Sequence, residues 1–475
     1  MSTANVRMGP HALKAIHKAR DRVPRLLRPC VPPIPRRAAI RRTRKPEKPS
    51  GDSETVTRVP VEGVERIREQ KYFEEWIKIH SLLCELGFTW GSIAEKGEEH
   101  QYLLLDLYRM PKETYQRILE ATEKIGHIYQ KTVVFLQNSP SLFSALHLPK
   151  NTWKAVQLPS PLFSYFARMD LVVRNDGEDI KILEMNSDTP TGIVEAAVAN
   201  DVVCGYFGES SPNRLIEEIK RTFQRIKTDH EIPDEETVYF LSYDWHEEDR
   251  QTTEFLRWHS GFSKTQYLPI KDLRVSTNGV YTSNGDLVKY LYRLYPLEYF
   301  SADKGPNGEP IGDLFLEHVA EGRVKLINPP SAFLGQCKTT MAVIWALHEN
   351  GHPFFTGEEH QMIEKYFLPT YPSAEGLTAP LVQKPVWGRE GGGVSIVGKD
   401  GSVIEDRTPC YYQQPKIYQK YIELPTVTVR TWEGPYTGSL LFGSFLIGGS
   451  PAGIFPRVGE KITGNLSMFL PVAVK

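Results

Sequence analysis

Residues 166–196 constrain the fold of this chain more than any other stretch, because they predict a β-hairpin that carries charged side chains. The sequence there is FARMDLVVRNDGEDIKILEMNSDTPTGIVEA. Phe166–Val173 and Ile180–Met185 are both typical of strands. Asn175-Asp176-Gly177 lies between them and indicates a turn, since Asn and Gly tolerate positive φ.

The two predicted strands carry side chains that suit a hard cation. Residues two apart on a strand share one face, so Arg168 points with Asp170, and Glu184 points with Asn186. The hairpin should therefore bring Asp170 beside Glu184 and Asn186. Two carboxylates and an amide oxygen suit Mg²⁺, which leaves its other positions to water and phosphate oxygens. The alternative is the solvated face of an edge hairpin, where alternating charge is ordinary.

Bulk composition excludes several classes of protein. The 475 residues are 40% hydrophobic and 24% charged, enough for more than one domain with a sizeable core. We find no apolar run of about 18 residues, which predicts no membrane span, and no apolar segment leading to a cleavage site for secretion. The five cysteines are scattered and lack C-x-x-C spacing. This pattern favours reduced thiols in a cytoplasmic protein over disulfides or a zinc site.

Residues 1–58 are predicted to form a basic, Pro/Arg-rich tail that is disordered. The first 50 residues carry 14 Lys and Arg against two acidic residues, so they hold a net charge of +12 while the remainder holds −13. Only this tail offers a surface for nucleic acid or another acidic partner. The alternatives are a solubilising or targeting arm without a ligand, or an organelle transit peptide, which an Arg-rich, acid-poor start resembles.

Helical periodicity and buried strands predict the scaffold of the first half. Amphipathic helices are expected over residues 61–87 and from residue 111 to about residue 134. A buried strand over Thr237–Ser242 leads to Glu247 and Glu248 at the start of a polar helix. Ligands of α/β proteins bind outside the carboxyl ends of strands. Acidic residues at a helix N-terminus are also ordinary, because they complement the helix dipole.

The second half contains a strand lysine shortly before a glycine-rich turn. Leu381–Gly393 reads LVQKPVWGREGGG and places Lys384 before the run Gly388–Gly393. Lysine supplies a point charge to phosphate, and unhindered backbone N–H groups can close over the phosphates of ATP. A lone glycine run is more often a flexible loop, and the Walker A ending is absent. Lys338, at the front of a predicted helix, would by itself be a surface residue.

The glycine run opens a predicted β-meander. Val394–Val397 and Ser402–Ile404 form a hairpin around residues 398–401, and Lys416–Glu423 forms a further strand. Two lysines on separate elements, a glycine flap and a strand on the adenine side together resemble an ATP-grasp fold.

Two segments resemble the glutathionylspermidine synthase family. LEMNSDTPTGIVEAAV, residues 183–198, is similar to the family's E-x-N-A-D-T-P-T…E-A-A segment, and the F-x-R-x-D motif at residues 166–170 stands where the family has it. The family's ELGF and LYP-x-E motifs are matched at Glu85–Phe88 and Leu294–Glu298. The resemblance covers about residues 61–475.

The resemblance implies an α+β fold class, namely a permuted ATP-grasp fold with an associated pre-ATP-grasp α/β region. The permutation is expected because the metal-bearing hairpin precedes the lysine strands. Residues 59–475 would form the ligase region. Within it, residues 61–330 would hold the helical scaffold, metal hairpin and substrate region, and residues 331–475 the ATP-binding lysines, glycine flap and closing strands.

The activity that the resemblance implies is an ATP- and Mg²⁺-dependent ligation of a carboxylate to an amine through an acyl phosphate. The family joins the glycine carboxylate of glutathione to spermidine. ATP would be a co-substrate with two Mg²⁺ as cofactors, and the partners would be a small-molecule or peptide acid and an amine or polyamine. No oligomeric state is predicted.

Matching positions carry the family's site residues onto this sequence. The resemblance implies metal ligation by Asp170, Glu184 and Asn186, and ATP binding by Lys338, Lys384, Glu390, Gly391, Gly392, Gly393, Gln419, Tyr421 and Ile422. It implies substrate binding by Arg168, Thr189, Thr191 and Glu247, with Arg168 and Arg457 stabilising charge during catalysis.

This sequence departs from the family in three places. Bifunctional members carry an N-terminal amidase domain with a catalytic cysteine, whereas only Cys30, in a Pro/Arg-rich context, precedes the first predicted helix. We therefore expect no amidase domain. The chain also reads Ala167-Arg-Met-Asp170 for the family's G-R-F-D, and Asn186-Ser-Asp188 for N-A-D. These two changes keep the ligand atoms.

Two other hypotheses belong to different classes. The chain could be a catalytically silent ATP-grasp-like protein with a binding or structural role, although the retained metal trio and both lysines argue against this. It could also be a nucleic-acid-associated protein whose binding is driven by the basic tail.

Overall fold

The structure is a computed structural model that describes residues 69–95, 97–405 and 409–475. The predicted tail, residues 1–58, therefore lies outside the described residues, as does the first part of the helix predicted over residues 61–87. Among the residues described, no helix combines the length and the apolar character needed to cross a bilayer.

The described chain has a mixed α/β architecture. Its strands are β1 (Ser92–Glu95), β2 (Glu98–Gln101), β3 (Tyr108–Met110), β4 (Phe166–Arg174), β5 (Asp179–Asn186), β6 (Val238–Ser242), β7 (Thr265–Pro269), β8 (Leu273–Ser276), β9 (Gly279–Thr282), β10 (Tyr290–Arg293), β11 (Lys325–Ile327), β12 (Thr370–Tyr371), β13 (Leu381–Pro385), β14 (Ser395–Val397), β15 (Val403–Glu405), β16 (Lys416–Lys420), β17 (Thr426–Thr431), β18 (Gly434–Ile447), β19 (Ser450–Gly459), β20 (Met468–Phe469) and β21 (Val472–Val474).

The helices lie between these strands. They are α1 (Gln70–Glu85), α2 (Lys112–Gln137), α3 (Trp153–Val156), α4 (Asn200–Tyr206), α5 (Leu215–Asp229), α6 (Glu247–His259), α7 (Leu297–Phe300), α8 (Ile311–Ala320), α9 (Ala332–Gln336), α10 (Thr339–Glu349), α11 (Gly357–Tyr366) and α12 (Pro409–Tyr412). A π-helical turn, Glu195–Ala199, runs directly into α4.

An antiparallel sheet of six strands forms the base of the structure. Its order is β20-β19-β18-β4-β5, with β17 paired to β18. The hairpin β4–β5 thus pairs with strands from the end of the chain. Asp170 lies opposite Glu184 and Arg168 opposite Asn186, with a bulge after Asp170. This register confirms the predicted hairpin and the juxtaposition of its acidic residues.

The core fixes which face of β4 is turned towards the cleft described below. Ala167, Met169 and Leu171 are fully buried and belong to the same hydrophobic cluster as residues of α2. Met169 approaches α2 closely at Gly126, where an added Cβ would lie 3.6 Å from its methyl group. Because successive side chains alternate across a strand, Arg168 and Asp170 point to the opposite face.

Two other large sheets belong to the framework, and the pairs β1-β2, β3-β21 and β8-β9 form two-stranded sheets. A parallel sheet has the order β11-β10-β6-β7, and β6 leads directly towards α6. An antiparallel sheet has the order β12-β16-β13-β14-β15, and the glycine run connects β13 to β14. The strand predicted over Lys416–Glu423 ends earlier, at Lys420, because the next residue leaves the ladder and its N–H donates to Pro380 O (3.3 Å).

Candidate active site

A cleft with a volume of about 970 Å³ is lined by residues from the six-stranded sheet, the five-stranded antiparallel sheet and the loop between β6 and α6. Most of the residues predicted for the site line this cleft. They are Arg168, Asp170, Glu184, Asn186, Thr189, Thr191, Glu247, Lys338, Lys384, Glu390, Gly391, Gln419, Tyr421, Ile422 and Arg457. Gly392 and Gly393 are not among the lining residues.

Two arginines converge on Asp170. Its Oδ1 accepts a hydrogen bond from Arg168 Nε (2.9 Å), and its Oδ2 accepts one from Arg457 Nη2 (2.8 Å). Both guanidinium groups also lie over the ring of Phe455, at 5.6 and 5.5 Å from its centroid. Residues from β4 and β19 thus form one charged cluster, which the neighbouring strands hold in place.

Glu184 faces the lysines from the second strand of the hairpin. Its Oε2 lies 3.2 Å from Lys338 Nζ, and its Oε1 accepts a hydrogen bond from Asn186 Nδ2 (3.4 Å). Removal from water raises the pKa of Glu184, but the charges of Lys338 and Lys384 outweigh this effect and bring the pKa well below its usual value. Glu184 is therefore ionised at neutral pH.

Asp170, Glu184 and Asn186 offer oxygen donors that fit Mg²⁺, since this ion is usually held by one or two carboxylates together with water and phosphate oxygens. Within the described residues, no three or more His, Cys, Asp or Glu side chains form a metal-binding cluster. The remaining coordination positions would therefore fall to the amide, water and phosphate oxygens. The nearby Arg and Lys side chains now neutralise the two carboxylates.

Both predicted lysines are buried beside this cluster. Lys384, on β13, donates to Leu183 O (2.9 Å) and to Gln419 Oε1 (2.7 Å). Burial lowers the pKa of Lys384 to about 8, although Glu184 opposes the shift. Lys338 stands at the start of α10 and donates to Gly388 O (2.7 Å) in the glycine run. The two ammonium groups therefore place positive charge on one side of the cleft.

The glycine run is closely packed. A Cβ on Gly391, which has a φ of 72°, would lie 2.7 Å from Thr463 O, and a Cβ on Gly392 would lie 2.5 Å from the Tyr411 ring. Glycine is required at these positions because the neighbouring groups approach the backbone directly. Gly392 and Gly393 contact Tyr411, which explains their absence from the cleft wall.

The loop after β5 carries the two predicted substrate threonines and meets two arginines. Thr191 O accepts a hydrogen bond from Arg168 Nη1 (2.8 Å). Thr189 Oγ1 accepts one from Arg389 Nη1 (3.1 Å). Arg389 belongs to the glycine run and was not predicted as a site residue, because a single arginine in a glycine-rich stretch gives no signal of its own.

Acidic residues gather beside the part of the cleft that is next to α6. Glu195 is fully buried, and its Oε1 accepts hydrogen bonds from Trp90 Nε1 (2.9 Å) and Tyr102 OH (2.8 Å). Its Oε2 has no hydrogen-bond partner among the residues that the structure describes. Burial, together with the charges of Glu195 and Asp249, raises the pKa of Glu248 to about 8. This crowding of carboxylates favours the binding of a cation in that part of the cleft.

Glu247 and Glu248 differ in their surroundings. The predicted residue, Glu247, lines the cleft, but its Oε1 accepts hydrogen bonds from Thr89 Oγ1 (2.9 Å) and Arg250 Nη2 (2.9 Å). Glu248 also lines the cleft and interacts with Glu195. The sequence analysis placed both residues at the start of a helix. Only the packing shows that Glu247 is paired with Arg250, whereas Glu248 lies near another carboxylate.

A buried ion pair supports the loop after β5 that carries Thr189 and Thr191, which we call the substrate loop. The sequence analysis did not predict this pair. Arg293 Nη1 donates to Asp188 Oδ2 (3.0 Å), and neither side chain has any exposed surface. Asp188 immediately precedes Thr189 and lies 105 residues before Arg293. Nothing local in the sequence connects the two residues.

The chain is similar to known proteins over most of its length. A family model described as glutathionylspermidine synthase preATP-grasp matches residues 71–475. A Haemophilus influenzae protein that carries the provisional name acid–amine ligase is 27% identical over 313 residues, which cover 62% of this chain and 71% of that protein. The apo structure of a glutathione synthetase-like effector from Globodera pallida has a TM-score of 0.55 at 11% identity and covers 86% of this chain and 97% of that one. The last similarity is one of fold alone.

Proposed function

The chain belongs to the glutathionylspermidine synthase preATP-grasp family, and from this premise we propose that it is an ATP- and Mg²⁺-dependent carboxylate–amine ligase with a permuted ATP-grasp fold. One observation carries the proposal. A single cleft is lined by Asp170, Glu184 and Asn186 together with Lys338 and Lys384. Oxygen donors beside two buried ammonium groups suit a magnesium-bound triphosphate.

The proposed reaction has two steps. A carboxylate oxygen of the acid attacks the γ-phosphorus of ATP, the bond between this phosphorus and the β,γ-bridging oxygen breaks, and ADP leaves. The amine nitrogen then attacks the acyl carbon of the acyl phosphate, inorganic phosphate leaves, and the nitrogen loses a proton. Such chemistry depends mainly on positioning and on neutralising charge.

Different residues of the cleft would bind ATP, hold Mg²⁺ and stabilise the phosphoryl group. Lys338 and Lys384 would bind phosphate oxygens, and the backbone of the glycine run would cover them. Asp170, Glu184 and Asn186 would hold Mg²⁺, which neutralises phosphate charge when it is bound. Arg168 and Arg457 would exchange their present bonds to Asp170 for bonds to the phosphoryl oxygens.

Two parts of the cleft suit different substrates. Thr189 and Thr191 lie beside Arg389 and Arg168, so this side would receive the carboxylate of the acid. The acidic part next to α6, with Glu248 on the cleft wall, would receive the amine. Because an amine must be neutral to attack, a carboxyl group with a pKa near neutrality is suited to accept its proton.

The test is phosphate release from Mg-ATP by the purified full chain. Glutathione, spermidine, both together and a panel of other acids and amines would be compared, with Asp170→Ala as the variant. We expect release to require one acid and one amine and to fall at least ~100-fold in the variant, the loss typical of removing one strong charge-stabilising group.

The matched control is Asp201→Ala, since Asp201 is exposed and does not line the cleft. It should retain wild-type turnover. Release with a different acid–amine pair would keep the reaction class and change the substrates. Failure of every pair, together with no binding of ATP, would instead support the catalytically silent alternative.

A further inference from the structure

The short helix α7 contacts three segments around the cleft that are far apart in the sequence. Leu297 N–H donates to Asp188 Oδ2 (3.0 Å), beside the substrate threonines. Glu298 Oε1 accepts a hydrogen bond from Arg389 Nε (2.8 Å) in the glycine run. The hydroxyl of Tyr299 lies 3.2 Å from the hydroxyl of Tyr411. Three consecutive residues therefore each contact a different segment.

The contact with Asp188 is rigid. Asp188 is paired with Arg293 at zero exposure, and the same carboxylate oxygen accepts hydrogen bonds from Arg293 Nη1 and from Leu297 N–H. A buried, charge-assisted network of this kind is costly to break. The start of α7 and the loop that begins at Asp188 therefore move together.

The contact between Glu298 and Arg389 joins α7 to the glycine run. The two side chains are only 12% and 19% exposed, so their attraction is weakly screened by water. Arg389 also donates to Thr189 Oγ1 (3.1 Å). One guanidinium group thus joins the glycine run both to α7 and to the substrate loop.

The third contact, between Tyr299 and Tyr411, connects α7 to another part of the glycine run. Tyr411, which meets Tyr299, packs directly against Gly392, where an added Cβ would lie 2.5 Å from its ring. The glycine run is therefore held through Arg389 and through Gly392, and both contacts lead back to α7.

We propose that Glu298 is a positioning residue that couples the binding of the acid to the binding of nucleotide. By holding Arg389, it keeps the glycine run against the substrate loop, so that filling either site favours the arrangement that the other requires. The proposal rests on the proposed function. Coupling of this kind is a free energy shared by two sites, and it is reciprocal by thermodynamic necessity.

The test compares the full-length wild type with Glu298→Gln, which keeps the shape of the side chain and removes its charge. The probes are Mg²⁺ with a non-hydrolysable ATP analogue, and the acid that gives the most phosphate release in the panel. In the wild type we expect saturating acid to tighten analogue binding at least ~fivefold, and the analogue to tighten acid binding by the same factor.

In Glu298→Gln, both factors should fall to about one, while analogue affinity without acid changes less than ~threefold. Glu317→Gln is the matched control, since Glu317 is an exposed glutamate on α8 outside the cleft, and it should keep the wild-type factors. Retained coupling in Glu298→Gln would overturn the proposal. A wild type that binds both probes without coupling would overturn it too, and would leave the ligase function standing.

A second variant covers the case in which Glu298→Gln fails to fold or to bind. Glu298→Asp keeps the charge but shortens the side chain by one methylene group, which withdraws the carboxylate from Arg389 Nε. Loss of coupling with intact analogue affinity would support the proposal. Retained coupling, or loss of all analogue binding, would overturn it. Absence of analogue binding in the wild type itself would refute the proposed function, and this inference with it.

Discussion

Asp188 and Asp179 each pair with an arginine, and the two pairs differ mainly in their access to water. Asp188 and Arg293 have no exposed surface, whereas the side chains of Asp179 and Arg174 are 27% and 39% exposed. A buried charge that loses its partner keeps the full cost of desolvation, while an exposed one regains water. At the scale of single residues, burial therefore decides what an ion pair contributes.

Asp188→Asn should lower the free energy of unfolding by about 3–5 kcal/mol, because it leaves Arg293 buried without a counter-charge. Asp179→Asn, the matched exposed variant, should cost less than about 1 kcal/mol. Urea unfolding followed by fluorescence would measure both values. Equal losses in the two variants would show that the buried pair adds no more than the exposed one.

Among the elements, the glycine run shows how packing restricts the conformation of a segment whose sequence is typical of a flexible loop. Gly391 has a positive φ and meets the backbone of residue 463, so neither its conformation nor its surroundings leave room for a side chain. The expectation of a glycine flap over phosphates is compatible with this packing. The run is held by its neighbours on both sides of the backbone.

Gly391→Ala should weaken binding of the ATP analogue at least ~tenfold, because the added methyl group forces the run away from residue 463 and strains a left-handed backbone by roughly 1–2 kcal/mol. Titration calorimetry would measure the affinity. Gly357→Ala is the control, since no atom of the described part of the chain lies within 4 Å of its added Cβ. Wild-type affinity in Gly391→Ala would mean that the run does not contact nucleotide in this conformation.

At the scale of the whole molecule, both ends of the described chain are tied into one body. Glu69 N–H donates to Trp432 O (2.6 Å), and the hairpin β4–β5 pairs with β18 near the end of the chain. The tail predicted over residues 1–58 lies ahead of the first of these contacts. A chain that begins at the predicted boundary, residue 59, therefore keeps every contact described above.

A chain that begins at residue 59 should melt within about 2 °C of the full chain, because a Pro/Arg-rich sequence of this kind is expected to bury little apolar surface. It should also release phosphate at the full-length rate. Differential scanning calorimetry and the phosphate assay would test both expectations. If the full chain binds nucleic acid, this binding should be lost on truncation. A truncated chain that unfolds or loses activity would show that the tail belongs to the ligase region.

The sequence alone determined those features that depend on neighbours in the chain. Strand alternation predicted that Asp170 would face Glu184 and Asn186, and the register confirms it. The turn at Asn175–Gly177 is confirmed by positive φ at all three residues. The helix predicted from residue 111 is confirmed as α2, although it runs to Gln137. Local periodicity and φ preferences suffice for such features, because their physical causes are local.

Tertiary structure decided everything that depends on residues distant in the sequence. Asp188 and Arg293 lie 105 residues apart, and Asp170 and Arg457 lie 287 apart, so no local pattern could pair them. The buried position of Glu195 and the contacts of α7 depend in the same way on the packing of separate elements. A charge is costly to bury alone, so its partner must be present, but only the folded chain determines which residue that partner is.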